Sequence, residues 1–214
     1  MNIGILGTGD VARSLAAGFL QLGHAVRLGT RDPKSDKVKQ WLAGAGKSAS
    51  AGTFADTAAF GDIVVLATLW SGTENALTLA GRKPFTGKVV IDATNPLVFT
   101  PGAPPGLALG HTDSGGEQVQ RWLPEARVVK CFNMVGHAHM VSPSFPGGPP
   151  DMFICGNDAA AKETVVKLLT QLGWPSTDLG GIEFARLLEP LCLLWVAYGV
   201  RTGGWNHALK MLRR

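Results

Sequence analysis

Short apolar runs alternate with amphipathic stretches along the first two thirds of the chain. Residues 2–7 and 25–30 are apolar runs as long as buried strands, and residues 11–22 between them repeat apolar positions with a helical period. The same alternation predicts strands at residues 63–67, 89–91 and 128–132 and helices at residues 32–43, 71–80 and 114–123. This order predicts an α/β fold, a doubly wound parallel Rossmann sheet with helices on both faces.

Two segments rich in Pro and Gly, residues 100–106 and 142–150, interrupt this order and are either lids beside a site or plain connectors. Beyond them the pattern predicts a strand at residues 152–155, a helix at 158–172, a short strand at 175–178 and apolar helical segments over 182–212. We therefore expect a main domain at residues 1–135, extended by a smaller C-terminal α/β segment at residues 136–214 that packs on it.

Composition narrows the class of protein. The chain has 214 residues, of which 45% are apolar and 17% charged, so it can bury a core and is not a disordered chain. The net charge of +4 fits ordinary solubility or attraction of a small polyanion, and no Lys/Arg run interleaved with aromatic residues suggests a nucleic-acid partner. The apolar stretch at residues 191–200 is about half of a membrane span, so we expect no membrane partner.

The cysteines and the first residues bear on the compartment. Cys131, Cys155 and Cys192 are widely spaced, odd in number and set in apolar segments, which predicts reduced core thiols. An apolar run begins at residue 2, and no targeting peptide is visible. These features predict a cytoplasmic protein.

The strongest motif is the run G-T-G-D-V-A at residues 7–12, between the first strand and the first helix. Gly7 permits the tight turn, Gly9 lets the backbone approach a pyrophosphate, and Ala12 lets the helix pack closely on the strand. The free N–H groups of the helix N-terminus would face the phosphates. The motif predicts dinucleotide binding by Gly7, Thr8, Gly9, Asp10 and Val11.

The end of the second strand indicates which dinucleotide binds. Folds that bind NAD tend to place an acidic residue there, whereas this chain has Thr30 followed by Arg31. A hydroxyl and a guanidinium suit a 2′-phosphate, and Lys34 or Lys37 would add a cation. We expect NADP, although NAD would be favoured if Asp32 reached the ribose.

Two other strand ends should border the cofactor, because ligands of open α/β sheets bind outside the carboxyl ends of the strands. Thr68, Leu69 and Trp70 follow one strand, and Asn95 and Pro96 follow the next. Leu69 or Trp70 would pack on a ring of the cofactor, or Trp70 is a core aromatic. Asn95–Pro96 would reach the nicotinamide ribose or carboxamide, or is a simple turn.

The segment after residue 132 holds the weak catalytic candidates. Asn133 is a hydrogen-bonding group, and His137 is a proton or anion contact or a solvated side chain. His137 and His139 have no supporting Cys or carboxylate cluster, so no metal site is expected. No nucleophile elbow or Cys–His pair is visible either. Three charges at helical spacing are expected to be solvated or ion-paired: Glu183, Arg186 and Glu189.

Six segments in order resemble the NADPH:coenzyme F420 oxidoreductase family: GTGDVA at residues 7–12, GTR at 29–31, ATLW at 67–70, VVKCFN at 128–133, MFICGND at 152–158 and ARLLEPL at 185–191. The chain is also similar to the reductase domain of the six-transmembrane metalloreductases. The resemblance implies hydride transfer between NADP(H) and a deazaflavin, with no catalytic side chain required. It implies that Thr8–Val11 bind the pyrophosphate, that Thr30, Arg31 and Lys34 bind the 2′-phosphate, and that Thr68–Trp70 line the cleft.

We therefore expect an NADP-dependent oxidoreductase whose small-molecule redox partner is coenzyme F420 or a flavin. The C-terminal segment would hold the acceptor site, and its apolar residues 187–200 would form a homodimer interface. One alternative is a reductase of a small carbonyl or imine substrate, which needs a proton donor such as His137, His139 or Lys130. The other is a module that senses NADPH without catalysis.

Overall fold

The computed structural model describes residues 1–212 and 214. Within them the strands are β1 (Asn2–Leu6), β2 (Ala25–Gly29), β3 (Ala49–Gly52), β4 (Ile63–Leu66), β5 (Val89–Asp92), β6 (Leu97–Val98), β7 (Gly106–Leu107), β8 (Arg127–Lys130), β9 (Met152–Gly156) and β10 (Ser176–Asp178). The α-helices are α1 (Asp10–Gln21), α2 (Asp36–Ala45), α3 (Phe54–Phe60), α4 (Trp70–Ala80), α5 (Gly115–Trp122), α6 (Ala159–Gln171) and α7 (Ala185–Thr202).

Eight of these strands form one sheet in the order β10-β9-β8-β5-β4-β1-β2-β3, and β6 and β7 form a separate hairpin. All neighbours in the sheet are parallel except β8 and β9. The order reverses between β1 and β4, which is the switch point where such sheets bind ligands. The expected α/β class and doubly wound sheet are confirmed, and the C-terminal strands extend the same sheet.

Strand alternation divides the core between the two faces of the sheet. Val64 and Val65, adjacent in β4, belong to different buried clusters. On one face Phe19 of α1 and Leu169 of α6 pack on the sheet. On the other face α3, α4, α5 and α7 cover it, with Leu188 of α7 fully buried. Both faces are apolar because both carry helices.

Two predicted helices have wrong limits. The helix predicted at residues 32–43 begins only at Asp36, because Asp32 accepts a hydrogen bond from the backbone N–H of Lys34 and forms a turn instead of a cap. The helical pattern predicted to residue 212 ends at Thr202, where Gly203 adopts a left-handed φ of 68°. Residues 204–212 have no regular secondary structure.

The structure adds a strand and a helix that the sequence pattern did not assign, β3 and α3. Thr53 caps α3 in a reciprocal arrangement with Asp56. The segment is rich in Ala, Gly and Thr, so its apolar periodicity is weak. No helix in the described part of the chain is long and apolar enough to cross a membrane.

Candidate functional site

The turn after β1 has the geometry that a phosphate-binding turn requires. Gly7 has a φ of +133°, and a Cβ there would lie 2.3 Å from the carbonyl oxygen of Ala67. At Gly9 a Cβ would meet nothing within 4 Å, so the space over the start of α1 is open. Gly9 is the N-cap of α1 and supplies no side-chain hydrogen bond, which leaves the N-terminal N–H groups directed at that space. The open cradle fits a dinucleotide pyrophosphate.

Arg13 supports this turn from the first helix, a role that the sequence pattern did not reveal. Its Nε donates to the carbonyl oxygen of Thr8 at 3.0 Å. The bond ties the glycine-rich turn to α1, since Arg13 lies one turn inside the helix. An arginine four residues after Gly9 was the only sequence signal, and many helices carry one.

The turn after β2 carries cationic side chains next to a carboxylate that already accepts a hydrogen bond. Thr30 is half-buried, whereas Arg31 and Lys34 are exposed. Oδ1 of Asp32 accepts from the backbone N–H of Lys34 at 3.0 Å, and its backbone N–H donates to Thr30 Oγ1 at 3.3 Å. Asp32 therefore shapes the turn. The cationic side chains near it in sequence, Arg31 and Lys34, are exposed.

The end of β4 separates three residues that are adjacent in sequence. Thr68 Oγ1 lies 2.8 Å from Thr73 Oγ1 in the first turn of α4, and the side chain of Leu69 is 84% exposed. Trp70 turns away and stacks on Trp122 of α5, with ring centroids 5.5 Å apart. Thr68 and Leu69 thus lie at the ligand-binding edge, and Trp70 packs between two helices.

The ends of β5 and β8 are joined by a pair of amides. Asn95 Nδ2 donates to the carbonyl oxygen of Asn133 at 2.7 Å, and Asn133 Nδ2 donates to Asn95 Oδ1 and to the carbonyl oxygen of Leu188. Both N–H groups of the Asn133 amide are used, while its buried Oδ1 has no hydrogen-bond partner among the described residues. Phe132, just before it, has a φ of +66°, an unfavourable backbone conformation for a bulky residue.

Directly below these amides lies a fully buried ion cluster. Lys130 Nζ contacts Asp92 Oδ2 at 2.9 Å, Glu189 Oε1 at 2.8 Å and the carbonyl oxygen of Thr94 at 2.7 Å. The two carboxylates raise the pKa of Lys130 above its ordinary value, against the opposing effect of burial. Glu189 also accepts the first N–H groups of α5 at 2.9 and 3.0 Å. The cluster ties β5, β8, α5 and α7 together.

The charges expected on one solvated helix face have three different environments. Glu183 is exposed, Arg186 is ion-paired with Glu117, and Glu189 is buried in the cluster. Glu189 meets the expectation through its ion pair with Lys130, although the pair is buried and does not lie on a solvated face. Three-residue spacing cannot distinguish a solvated helix face from a buried one, because burial of Glu189 depends on where α5 packs.

A cavity of about 450 Å³ opens at this edge of the sheet, between the strand ends and α7. Its floor includes Asn95, Asn133 and Val11, and its far wall is formed by α7 and the chain after it. The lining side chains of that wall are Cys192, Trp195, Val196, Trp205 and Asn206. None of the described residues that line the cavity is Asp, Glu, Lys or Arg. The cavity is therefore apolar with amide and imidazole edges.

The remaining polar groups of the cavity are two histidines and a thiol. His137 is exposed, with Nδ1 3.4 Å from Ser14 Oγ, and His139 Nε2 lies 3.3 Å from Asn206 Oδ1. Burial raises the pKa of the Cys192 thiol to about 12, so it is not a thiolate at neutral pH. Across the described residues, no group of three or more His, Cys, Asp or Glu is placed to hold a metal ion.

Five predicted segments meet at one edge, because β1, β2, β4, β5 and β8 are parallel and all end there. Of the predicted site residues, those that line the cavity itself are Val11, Asn95, Asn133 and His137. Trp70 and the buried Pro96 lie outside it. The wall formed by Trp195 and Trp205 was not predicted, since no motif marks it.

A doubly wound sheet with an open glycine-rich turn at its switch point defines a Rossmann-type dinucleotide-binding protein. The family model described as "NADP oxidoreductase coenzyme F420-dependent" matches residues 2–96. The F420-dependent NADP reductase of Methanocaldococcus jannaschii is 30% identical over 211 residues, covering 94% of this chain and 93% of that protein. The chain belongs to this family and is an NADP-dependent oxidoreductase.

Two further proteins are similar to this chain, one over its whole length and one over part of a longer protein. A solved structure of a candidate F420-dependent NADP reductase from Arthrobacter sp. FB24 is 41% identical, with a TM-score of 0.92 and 99% of both chains covered. Metalloreductase STEAP3 of Rattus norvegicus is 31% identical over 196 residues, which cover 90% of this chain. The match covers only 37% of that longer protein.

Proposed function

We propose that the protein transfers a hydride between NADPH, bound along the edge of the sheet, and a deazaflavin or flavin-like ring bound in the cavity. One observation carries this proposal: the cavity is contiguous with the start of α1 through Val11, and its lining has no charged side chain of Asp, Glu, Lys or Arg. In such a transfer the acceptor ring would gain a hydride at carbon and a proton from solvent at nitrogen, so the task of the protein is to align the two rings. The F420-dependent names of the relatives support the deazaflavin as the acceptor.

The dinucleotide would extend over three strand ends. Backbone N–H groups of residues 8–11 would hold the pyrophosphate at the uncapped helix start. Thr30, Arg31 and Lys34 would hold the 2′-phosphate, and the turn role of Asp32 favours NADP over NAD. Thr68 and Leu69 would flank the cofactor at the end of β4. When bound, NADPH supplies the hydride.

The main domain and the C-terminal segment would have separate functions. Residues 1–135 would bind NADP, and residues 136–214 would supply the acceptor wall. Asn133 and His137 would place polar edges on the bound rings without acting as acid or base. A second copy would dock on α7, where Leu187, Leu194 and Tyr198 are each more than half exposed on one stripe.

A reductase of a small carbonyl or imine is the second candidate. It is favoured by His137 and His139, which line the cavity and could donate a proton. Lys130 is a poor donor, since it is fully buried and held between two carboxylates. A bell-shaped pH dependence that is lost on changing one histidine would favour this candidate.

Stopped-flow mixing tests the proposal. The protein is mixed with NADPH and oxidised coenzyme F420, and parallel mixes contain NADH or flavin mononucleotide. Fast bleaching of the deazaflavin with NADPH, and little with NADH, is expected. Reduction of flavin alone would move the acceptor to flavins. NADPH binding without reduction of any ring would contradict the proposal and favour the small-substrate or sensing alternatives.

A further inference from the structure

The chain after α7 is fixed in place by reciprocal contacts. We call residues 203–209 the tail. Trp195 Nε1 donates to the carbonyl oxygen of His207 at 2.7 Å, and His207 Nε2 lies 2.9 Å from the carbonyl oxygen of Trp195. The two rings stack with centroids 4.8 Å apart and an angle of 25°. The carbonyl oxygen of Leu209 accepts the N–H of Asp151, just before β9. The tail is therefore part of the folded body.

The tail carries an indole ring into the cavity wall. Trp205 lies beside Trp195, with centroids 5.2 Å apart, and over Gly199 of α7. A Cβ on Gly199 would lie 2.4 Å from Cζ3 of Trp205, so the indole can pack here only because residue 199 has no side chain. We call this packing position the seat of Trp205. Trp205 stays 46% exposed although it lines the cavity. A seated, half-exposed indole offers a flat apolar surface to a ligand.

Amide and imidazole groups form the polar edge of this wall. Asn206, next to Trp205, contacts His139, and both residues line the cavity with an amide and an imidazole. Asn133 also lines the cavity, but its unpartnered Oδ1 is buried. Flat aromatic walls with hydrogen-bonding edges suit a heterocyclic ring rather than an open-chain charged substrate.

We propose that the tail is the acceptor-binding wall, in which Trp205, seated on Gly199 and backed by Trp195, stacks on a flat, uncharged heterocyclic ring. Trp205 is then a specificity-determining residue on the acceptor side. This inference rests on the proposed hydride transfer to a ring acceptor. NADPH would be bound by other segments, the turn after β1 and the end of β2. The affinity for the acceptor ring and the affinity for NADPH should therefore respond to different substitutions.

Two substitutions test the wall in different ways. Trp205→Ala removes the ring, whereas Gly199→Ala keeps the ring but displaces it from its seat. Gly199 lies within α7, where Ala favours the helix, so this variant should fold. Leu212→Ala is the matched control, an exposed position farther along the same end of the chain. Trp205→Phe keeps a smaller aromatic surface.

The dissociation constants of oxidised coenzyme F420 and of flavin mononucleotide are measured by fluorescence titration in the presence of NADP, and that of NADPH separately. We expect Trp205→Ala to weaken ring binding about tenfold, the scale of one lost stacking partner. Gly199→Ala should weaken it in the same direction, and Trp205→Phe should restore most of it. NADPH binding should stay within about twofold, and the loss in turnover should appear in KM more than in kcat.

Unchanged ring affinity in both Trp205→Ala and Gly199→Ala would overturn the inference while the wild-type protein still reduces the ring. An equal loss of NADPH affinity would also overturn it and assign the tail a purely structural role. If the wild-type protein neither binds nor reduces either ring, the proposed function itself fails.

Discussion

Single residues of the phosphate turn have separable roles in folding and binding. The backbone φ of Gly7 and the 2.3 Å distance that a Cβ there would have to the carbonyl oxygen of Ala67 exclude a side chain. Gly9, in contrast, has an ordinary φ of −73° and open space around it. Glycine is therefore required by the fold at position 7, and we propose that at position 9 it leaves room for the ligand.

Alanine at these two glycines should separate the two roles. Gly7→Ala should lower the free energy of unfolding by at least about 1–3 kcal/mol, because both conformation and space are wrong. Gly9→Ala should leave stability unchanged within about 0.5 kcal/mol and weaken NADPH binding, because its methyl group fills the pyrophosphate space. Urea unfolding and NADPH titration measure the two effects. Full NADPH affinity in Gly9→Ala would contradict the assigned cradle.

Arg31 should decide the choice of dinucleotide. Arg31→Ala is expected to weaken NADPH binding by about 1.5–3 kcal/mol, the range for hydrogen bonds to charged groups, and to leave NADH binding unchanged. Arg82→Ala is the control, because Arg82 precedes β5 and so lies at the amino ends of the strands, away from the proposed site. Equal losses for NADPH and NADH, or no loss, would show that the 2′-phosphate lies elsewhere.

At the scale of elements, the buried cluster of Lys130, Asp92 and Glu189 joins the sheet to α5 and α7. Its two carboxylates accept from Lys130 and from backbone N–H groups, so each carboxylate is satisfied in spite of full burial. Loss of the cation would leave two buried carboxylates unpaired. The cluster therefore fixes the position of α7, which carries one wall of the cavity.

Lys130→Met should lower the free energy of unfolding by about 3–5 kcal/mol, the cost of breaking a buried pair. The raised pKa of Lys130 means that its contribution is complete below the unfolded value of about 10.4 and declines only as pH rises through the folded value. Titration of Lys130 itself should thus add no pH dependence across the neutral range, well below that unfolded value. Lys39→Met, which breaks an exposed pair, should change stability by less than about 1 kcal/mol. A loss of that small size in Lys130→Met would show that the buried cluster does not stabilise the fold.

The elements differ in how far the sequence predicts them. Strands and helices with strong periodicity were predicted. The motif residues were also predicted to lie together, because a parallel sheet brings the carboxyl ends of its strands to one edge. The position of Trp205 was not predictable, since it depends on a turn at Gly203 and on a seat at Gly199 provided by another element. The burial of Glu189 was not predictable for the same reason, because its partners come from β8 and α5.

At the scale of the whole molecule, α7 has one buried face and one exposed apolar face. Leu188, Cys192 and Val196 face the core and the cavity, while Leu187 and Leu194 are more than half exposed. An 18-residue helix with an exposed apolar stripe is a surface that a second copy would cover. Assembly through this stripe would leave the cavity wall, on the other face, in place.

Leu194→Glu tests this assembly. It should shift the sedimentation coefficient from that of a dimer to that of a monomer without lowering the free energy of unfolding per chain, because the side chain is exposed in the single chain. Glu163→Leu, on the unrelated helix α6, is a charge-changing control. A monomeric wild-type protein, or a dimer that persists in Leu194→Glu, would contradict the proposed interface.

Isotope transfer tests directly whether the hydride passes from NADPH to a ring bound in the cavity. NADPH carrying deuterium at C4 of the nicotinamide, in each of its two stereochemical forms, is mixed with the protein and oxidised coenzyme F420, and the reduced deazaflavin is analysed by mass spectrometry. We expect deuterium on the deazaflavin carbon from one stereochemical form only, with no dilution by solvent hydrogen. Reduced deazaflavin without deuterium from either form would contradict direct hydride transfer.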